Sequence, residues 1–290
     1  MARNTIVMGS PSMPRPVRPR RPVEALLRLA RRPTASLRAL PDFLIIGAQK
    51  AGTTSLNDYL QTSSPRVRPA VTKEVHYFDR HERHGTNWYR SNFPLRRQPC
   101  DWVTGESTPY YLLHPGVPAK VADLIPEVRL LVMLRHPVDR AYSHFHHSRF
   151  YGIEPEEDFE RALALEGART DEAWLHLEAG AAQDDRVEWF SYARRSTYMP
   201  QLRRWLKFFP PESLLVFTME EMAADPRAAV ERALAHIGIH EHVMDADFPV
   251  RNSRDYTGID PALRRKVFSM FEDDVAGVEE FLGRSVGWAP

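Results

Sequence analysis

The chain has 290 residues and is 43% apolar, enough to bury the core of a globular protein of one large domain. Lys plus Arg number 39 against 38 for Asp plus Glu, so nothing in the overall charge points to a nucleic-acid partner, and any basic site has to be local. The single cysteine, Cys100, excludes an internal disulfide framework and a cysteine-based zinc cage, and no apolar run approaches the roughly 20 residues of a membrane span. A cytoplasmic protein without a transmembrane segment is the expectation.

Residues 1–40 hold Arg3, Arg15, Arg18, Arg20, Arg21, Arg28, Arg31, Arg32 and Arg38 against one acid, Glu24. Their Pro-Arg alternation builds no core, so the segment reads as a basic, disordered tail, with docking to an anionic surface as its functional alternative. Residues 41–290 read as one domain. Short apolar runs at 43–46, 102–105, Arg129–Leu134 and 213–217 have strand character, and helical patterns fall at 54–61, Val117–Leu124, 138–150, 197–209 and 226–237. This alternation predicts an α/β fold, a phosphate-loop-type parallel sheet with helices on both faces. The stretch 154–186 is polar and helical and reads as an insertion over the site. The C-terminal part, from residue 260 to 282, carries apolar residues on one helical face.

The run from Phe43 to Leu56 passes from a buried strand through Gly47 and Gly52 directly into a helix. Glycines permit the tight turn, and the helix start offers N–H groups and a favourable dipole to an anion. Thr53, Thr54 and Ser55 add hydroxyls. A nucleoside-triphosphate loop places lysine after its second glycine, whereas here Thr53 stands there and the lysine, Lys50, lies within the loop. A lysine at that position can reach a bridging oxygen as well as terminal phosphate oxygens, which suits it to stabilise a departing phosphate.

With Gln49-Lys50-Ala51-Gly52-Thr53-Thr54-Ser55 the chain resembles the sulfotransferases that use 3′-phosphoadenosine 5′-phosphosulfate (PAPS). In motif style it is similar to the heparan sulfate (glycan) sulfotransferases and their bacterial relatives. The resemblance implies that Lys50, Ala51, Gly52, Thr53, Thr54 and Ser55 hold the 5′-phosphosulfate. It also implies that Arg135 and Ser143, in the run Leu134-Arg135-His136-Pro137 to Ser143, hold the 3′-phosphate. Arginine suits this task because its planar fork makes two charge-assisted hydrogen bonds to one phosphate. A late basic loop, Arg251 to Tyr256, adds Arg254.

Sulfuryl transfer needs in-line positioning, leaving-group stabilisation and a base. In Thr72-Lys73-Glu74-Val75-His76-Tyr77-Phe78, strand-like alternation puts Glu74 and His76 on one side and Lys73 on the other. The resemblance makes Glu74 the base, with His76 as support or as the alternative base. In Gly105-Glu106-Ser107-Thr108-Pro109-Tyr110-Tyr111, Ser107 stands where related glycan enzymes often carry lysine. Glu106 is either a substrate-side residue or an ion-paired structural one. His144, His146 and His147 invite a metal reading that no completing ligand supports, so no metal is expected. Tyr198, Leu202, Trp205, Leu206 and Phe209 at helical spacing read as core.

The expected function is sulfuryl transfer from PAPS to a hydroxyl, or alternatively an amine, of a glycan, glycolipid or small metabolite. The rivals are a phosphate-loop kinase, which wants lysine at position 53 and a metal-binding aspartate after an adjacent strand, and a catalytically idle nucleotide-binding protein.

Overall fold

The computed structural model describes residues 22–96, 100–240, 248–249 and 258–290. Among these, five strands form one parallel sheet: β1 (Phe43–Gly47), β2 (Val67–Pro69), β3 (Val103–Ser107), β4 (Arg129–Leu134) and β5 (Leu214–Thr218), in the order β2-β3-β1-β4-β5. The helices that flank the sheet begin with α1 (Pro22–Arg31), α2 (Thr53–Ser63), α3 (Thr86–Arg90), α4 (Val117–Leu124) and α5 (Pro137–Phe150). The polar stretch follows as α6 (Phe159–Ala164), α7 (Glu166–Glu178) and α8 (Asp185–Phe190). Then come α9 (Met199–Trp205), α10 (Met219–Ala224), α11 (Pro226–His236), α12 (Pro261–Phe268) and α13 (Glu272–Leu282).

Every residue of β1 and all but the first of β4 are buried. That is why their sequences are continuous apolar runs: a parallel strand covered on both faces has no solvent side to alternate with. Helix starts obey local chemistry. Thr218 and Glu221 form a reciprocal capping box at α10, and Asp225 caps α11 ahead of Pro226. Because β1 has β3 on one side and β4 on the other, the chain reverses its direction of winding at β1. The crevice at the carboxyl ends of these strands is where such sheets receive ligands. The segments that follow β1, β2, β3 and β4 all start at that edge.

Two expectations need correction. The tail reading covered residues 22–40, which instead form α1 and a 3-10 turn, Arg32–Leu37. Ala35 and Ala39 are buried, Ala39 N–H donates to the Pro94 carbonyl at 3.0 Å, and Arg96 N–H donates to that of Leu37 at 3.1 Å. Backbone pairing with residues 93–96 thus supplies the order that composition alone did not. The other correction concerns 72–78, which is no strand. It is a loop leading into a π-helical turn, Tyr77–His81, with His76 in the left-handed region at φ 53°.

Candidate active site

The phosphate loop occupies the carboxyl end of β1. Lys50 (φ 71°) and Gly52 (φ 87°) both take left-handed backbone, which turns the chain back onto α2. A Cβ at Gly52 would also sit 3.3 Å from the methyl carbons of Met133 and Met222. No side chain caps α2 at Gly52, and the first N–H groups of a helix have no partner within it. The start of α2, with Thr53 and Ser55 buried and Thr54 half-buried, is therefore built to receive an anion. Ala51 is different: its N–H donates to Ala48 O at 3.2 Å and closes the loop on itself.

Next to this loop stands a chain of charges. Lys73 Nζ donates to Thr54 Oγ1 and lies 3.7 Å from Glu74 Oε1. Glu74 Oε2 is 3.4 Å from His76 Nε2, whose Nδ1 is 2.7 Å from Asp79 Oδ2. Asp79 is fully buried and also meets Arg80, which pairs in turn with Glu188 at 2.5 Å. Burial by itself would lower the His76 ring, but Asp79 first and then Glu74 outweigh it and raise it from 6.5 to about 9. At neutral pH the ring is an imidazolium, with Nδ1 hydrogen-bonded to Asp79 and Nε2 within ion-pair distance of Glu74. Burial opposes ionisation of Asp79 as well, yet His76 and Arg80 hold it below its ordinary range.

The backbone of this segment is pinned by the residues that follow β3. Val75 N–H donates to Glu106 Oε2 at 3.1 Å, His76 N–H to Thr108 Oγ1 at 3.3 Å, and Tyr77 N–H to the Tyr111 hydroxyl at 2.8 Å. Glu106 also accepts from the hydroxyls of Tyr89, Thr108 and Tyr111. A carboxylate so buried and so fully bonded is a brace for the Glu74 segment rather than an acceptor contact.

At the end of β4, Arg135 Nη1 donates to Lys50 O at 3.1 Å, and the Tyr198 hydroxyl donates to Arg135 O at 2.7 Å. Ser143 is buried in α5, which Pro137 opens. Arg195, whose side chain is buried, donates to Gln49 Oε1 at 2.7 Å and to Glu188 O at 2.9 Å, with its guanidinium 4.9 Å from the centre of the Tyr110 ring. Beside the charge chain lies a cavity of about 380 Å³ lined by Arg80, His81, Arg83, Ala182 and Gln183. Burial, then the neighbouring His76 and His84, push His81 down to about 4, so it is neutral there. A larger cavity of about 470 Å³ lies at the opposite edge of the sheet, where Asp42, Val103 and Arg129 begin the strands, away from these groups.

The Sulfotransferase domain family model matches residues 40–248. The chain belongs to this sulfotransferase family. It is 32% identical over 213 residues to human heparan sulfate glucosamine 3-O-sulfotransferase 6, covering 73% of this chain and 56% of that relative. It is 29% identical over 212 residues to human bifunctional heparan sulfate N-deacetylase/N-sulfotransferase 3, covering 70% of this chain and 23% of that protein. The chain thus spans about half or less of the length of these curated relatives. A crystal structure of a sulfotransferase from Alicyclobacillus acidocaldarius superposes with a TM-score of 0.65 at 29% identity, covering 86% of this chain and 98% of that one.

The residues proposed from the sequence of this family member fall into three groups. Lys50, Gly52, Thr53, Thr54, Ser55, Glu74, His76 and Arg135 gather at the carboxyl edge of the sheet, linked by the Lys73–Thr54 and Arg135–Lys50 hydrogen bonds. Ser143 lies within α5 behind Arg135. Arg254 falls outside both the described residues and the matched region; the nearby Phe248 and Pro249 carbonyls accept from the Tyr59 hydroxyl on α2. Lys73, expected on the far face, stands on the site side because the segment is a loop and does not alternate. The histidines of α5 go separate ways: His144 Nε2 meets Glu188 O, His146 packs on Tyr142, and His147 stacks on Trp189. Sequence reasoning missed Asp79 and Arg195. The spacing His76-x-x-Asp79 was a usable signal for the first; nothing local marked the second.

Proposed function

We propose that this chain transfers a sulfuryl group from PAPS to a hydroxyl of a glycan. The observation that carries this reading is the Glu74–His76–Asp79 chain joined, through Lys73 and Thr54, to an uncapped helix start. The donor supplies an activated sulfuryl group on a phosphate leaving group. The residues present fit it: Gly52, Thr53, Thr54 and Ser55 offer N–H and hydroxyl donors to its phosphosulfate, and Lys50 offers a cation to the phosphate charge that grows as sulfate departs. Arg135 and Ser143 are assigned to the 3′-phosphate.

Glu74 takes the proton of the acceptor hydroxyl. His76, already protonated, cannot accept one; it orients the Glu74 carboxylate, and Asp79 fixes the ring. Arg83, which lines the cavity beside the charge chain, suits a sugar chain that bears carboxylates or sulfates. The heparan sulfate names of the relatives support a glycan over a phenolic metabolite. An amine acceptor is the second reading, favoured by the N-sulfotransferase relative.

Two measurements test the proposal. Thermal shift with 3′-phosphoadenosine 5′-phosphate against ATP plus magnesium should show selective stabilisation by the former. Radiolabelled sulfate should then pass from PAPS to an anionic glycan. Selective stabilisation by ATP would overturn the donor assignment, and transfer to simple phenols but to no glycan would overturn the acceptor assignment.

A further inference from the structure

Helix α1 is amphipathic and mounted the wrong way round for a globular protein. At 100° per residue, Val23, Leu26, Leu27 and Ala30 share one face. That face points to solvent: Val23 is 65% exposed, Leu26 64% and Leu27 44%, and Leu29 at its border is 58% exposed. The helix rests on the body through its arginines instead. Arg28 lies 5.6 Å from the centre of the Trp88 ring and reaches Asn92 Oδ1, while Arg31 Nη1 bonds Asn92 O at 3.4 Å. Beyond the helix, Leu37 adds another apolar side chain at 66% exposure.

We propose that this face docks on the surface of a membrane rich in anionic phospholipid. The commitment to lipid rests on charge. The first forty residues carry Arg3, Arg15, Arg18, Arg20, Arg21, Arg28, Arg31, Arg32 and Arg38 with Glu24 as the sole acid. Arg28, Arg31 and Arg38 are engaged with the body, so the cations left for headgroup phosphates are Arg32 and those that precede the helix, Arg3, Arg15, Arg18, Arg20 and Arg21. Exposed leucines next to such a run are the composition of an interfacial segment whose apolar side enters the acyl boundary. A second copy of the same face would bring two arginine-rich segments together, and like charges disfavour that pairing. The helix has ten residues, roughly 15 Å, half the thickness of a bilayer core, so it lies in the surface and does not cross it. Among the described residues no helix is long and apolar enough to span.

The test is vesicle flotation of the full chain with phosphatidylcholine alone and with phosphatidylglycerol added. The expected result is flotation with the anionic vesicles, weakened by high salt. The Leu26→Glu/Leu27→Glu variant should bind them about tenfold less or weaker still, with its thermal midpoint and donor-product binding unchanged, because both side chains are exposed and remote from the phosphate loop. Absence of flotation by the unaltered chain overturns the proposal. So does equal flotation of the double variant. A concentration-dependent dimer that the same double variant dissolves, without vesicle binding, would assign the face to a second copy and overturn it too.

Discussion

Nε2 of His76 stands 3.4 Å from Oε2 of Glu74, and the other nitrogen of the same ring is held by a fully buried Asp79 at 2.7 Å. This relationship is what favours Glu74 over His76 as the base in the proposed reaction. A ring raised to about 9 by its two carboxylate neighbours carries both protons at neutral pH and has none to accept. Glu74 is the partly exposed member of the pair, at 41% of its side chain, and so the one a substrate can reach.

The same arrangement makes stability depend on pH. The folded His76 ring titrates near 9, above its ordinary 6.5, so its contribution is fully present below pH 6.5 and is lost as pH rises through 9. The loss amounts to at most about 3–4 kcal/mol. Denaturant unfolding followed from pH 6 to 10 is expected to show this decline, and His76→Gln should flatten it. An equal slope in the variant would assign the decline to other groups.

Gly52→Ala is expected to weaken both fold and donor binding. The position has φ 87°, and the added carbon would sit 3.3 Å from two methionine methyls. Left-handed backbone costs about 1–2 kcal/mol in a residue with a side chain, and relieving it would turn the first N–H groups of α2 away from the anion. A lower unfolding midpoint together with roughly tenfold weaker binding of 3′-phosphoadenosine 5′-phosphate is the expected outcome. Unchanged affinity would show that the loop tolerates another backbone shape.

Arg195 acts through Gln49. Its planar fork holds Nη1 on the Gln49 amide and Nη2 on the Glu188 and Val187 carbonyls, a fixed separation of donors that the single nitrogen of lysine does not reproduce. Arg195→Lys should therefore raise the donor KM about tenfold, through a loosened loop, while kcat changes less. A fall in kcat with the donor KM unchanged would instead place Arg195 at the reacting atoms.

The phosphate loop, the Arg135 strand end and the general α/β alternation were legible because each is local: a buried strand, two glycines and a run of hydroxyls stand next to one another in the chain. What was not legible is long-range or conformational. β2 is a three-residue edge strand, Val67–Pro69, with Arg68 in it and one buried residue, so it has no apolar run to detect. Lys73 was assigned to the wrong face because alternation presumes a strand, whereas His76 in left-handed backbone breaks the period. For Glu106 the motif leaves a substrate-side and an ion-paired structural role equally open. Only the fold brings Val75, Tyr89, Thr108 and Tyr111 around it. Residues 22–40 read as tail because their order comes from pairing with residues about 55 positions further along.

The most direct test of the account is Glu74→Gln, measured for sulfate transfer from PAPS and for binding of 3′-phosphoadenosine 5′-phosphate in the same preparation. Removal of a positioned general base is expected to lower kcat by about 10²–10⁴-fold while nucleotide affinity stays within a factor of about two. Turnover near that of the unaltered chain, with binding intact, would contradict Glu74 as the base that takes the acceptor proton.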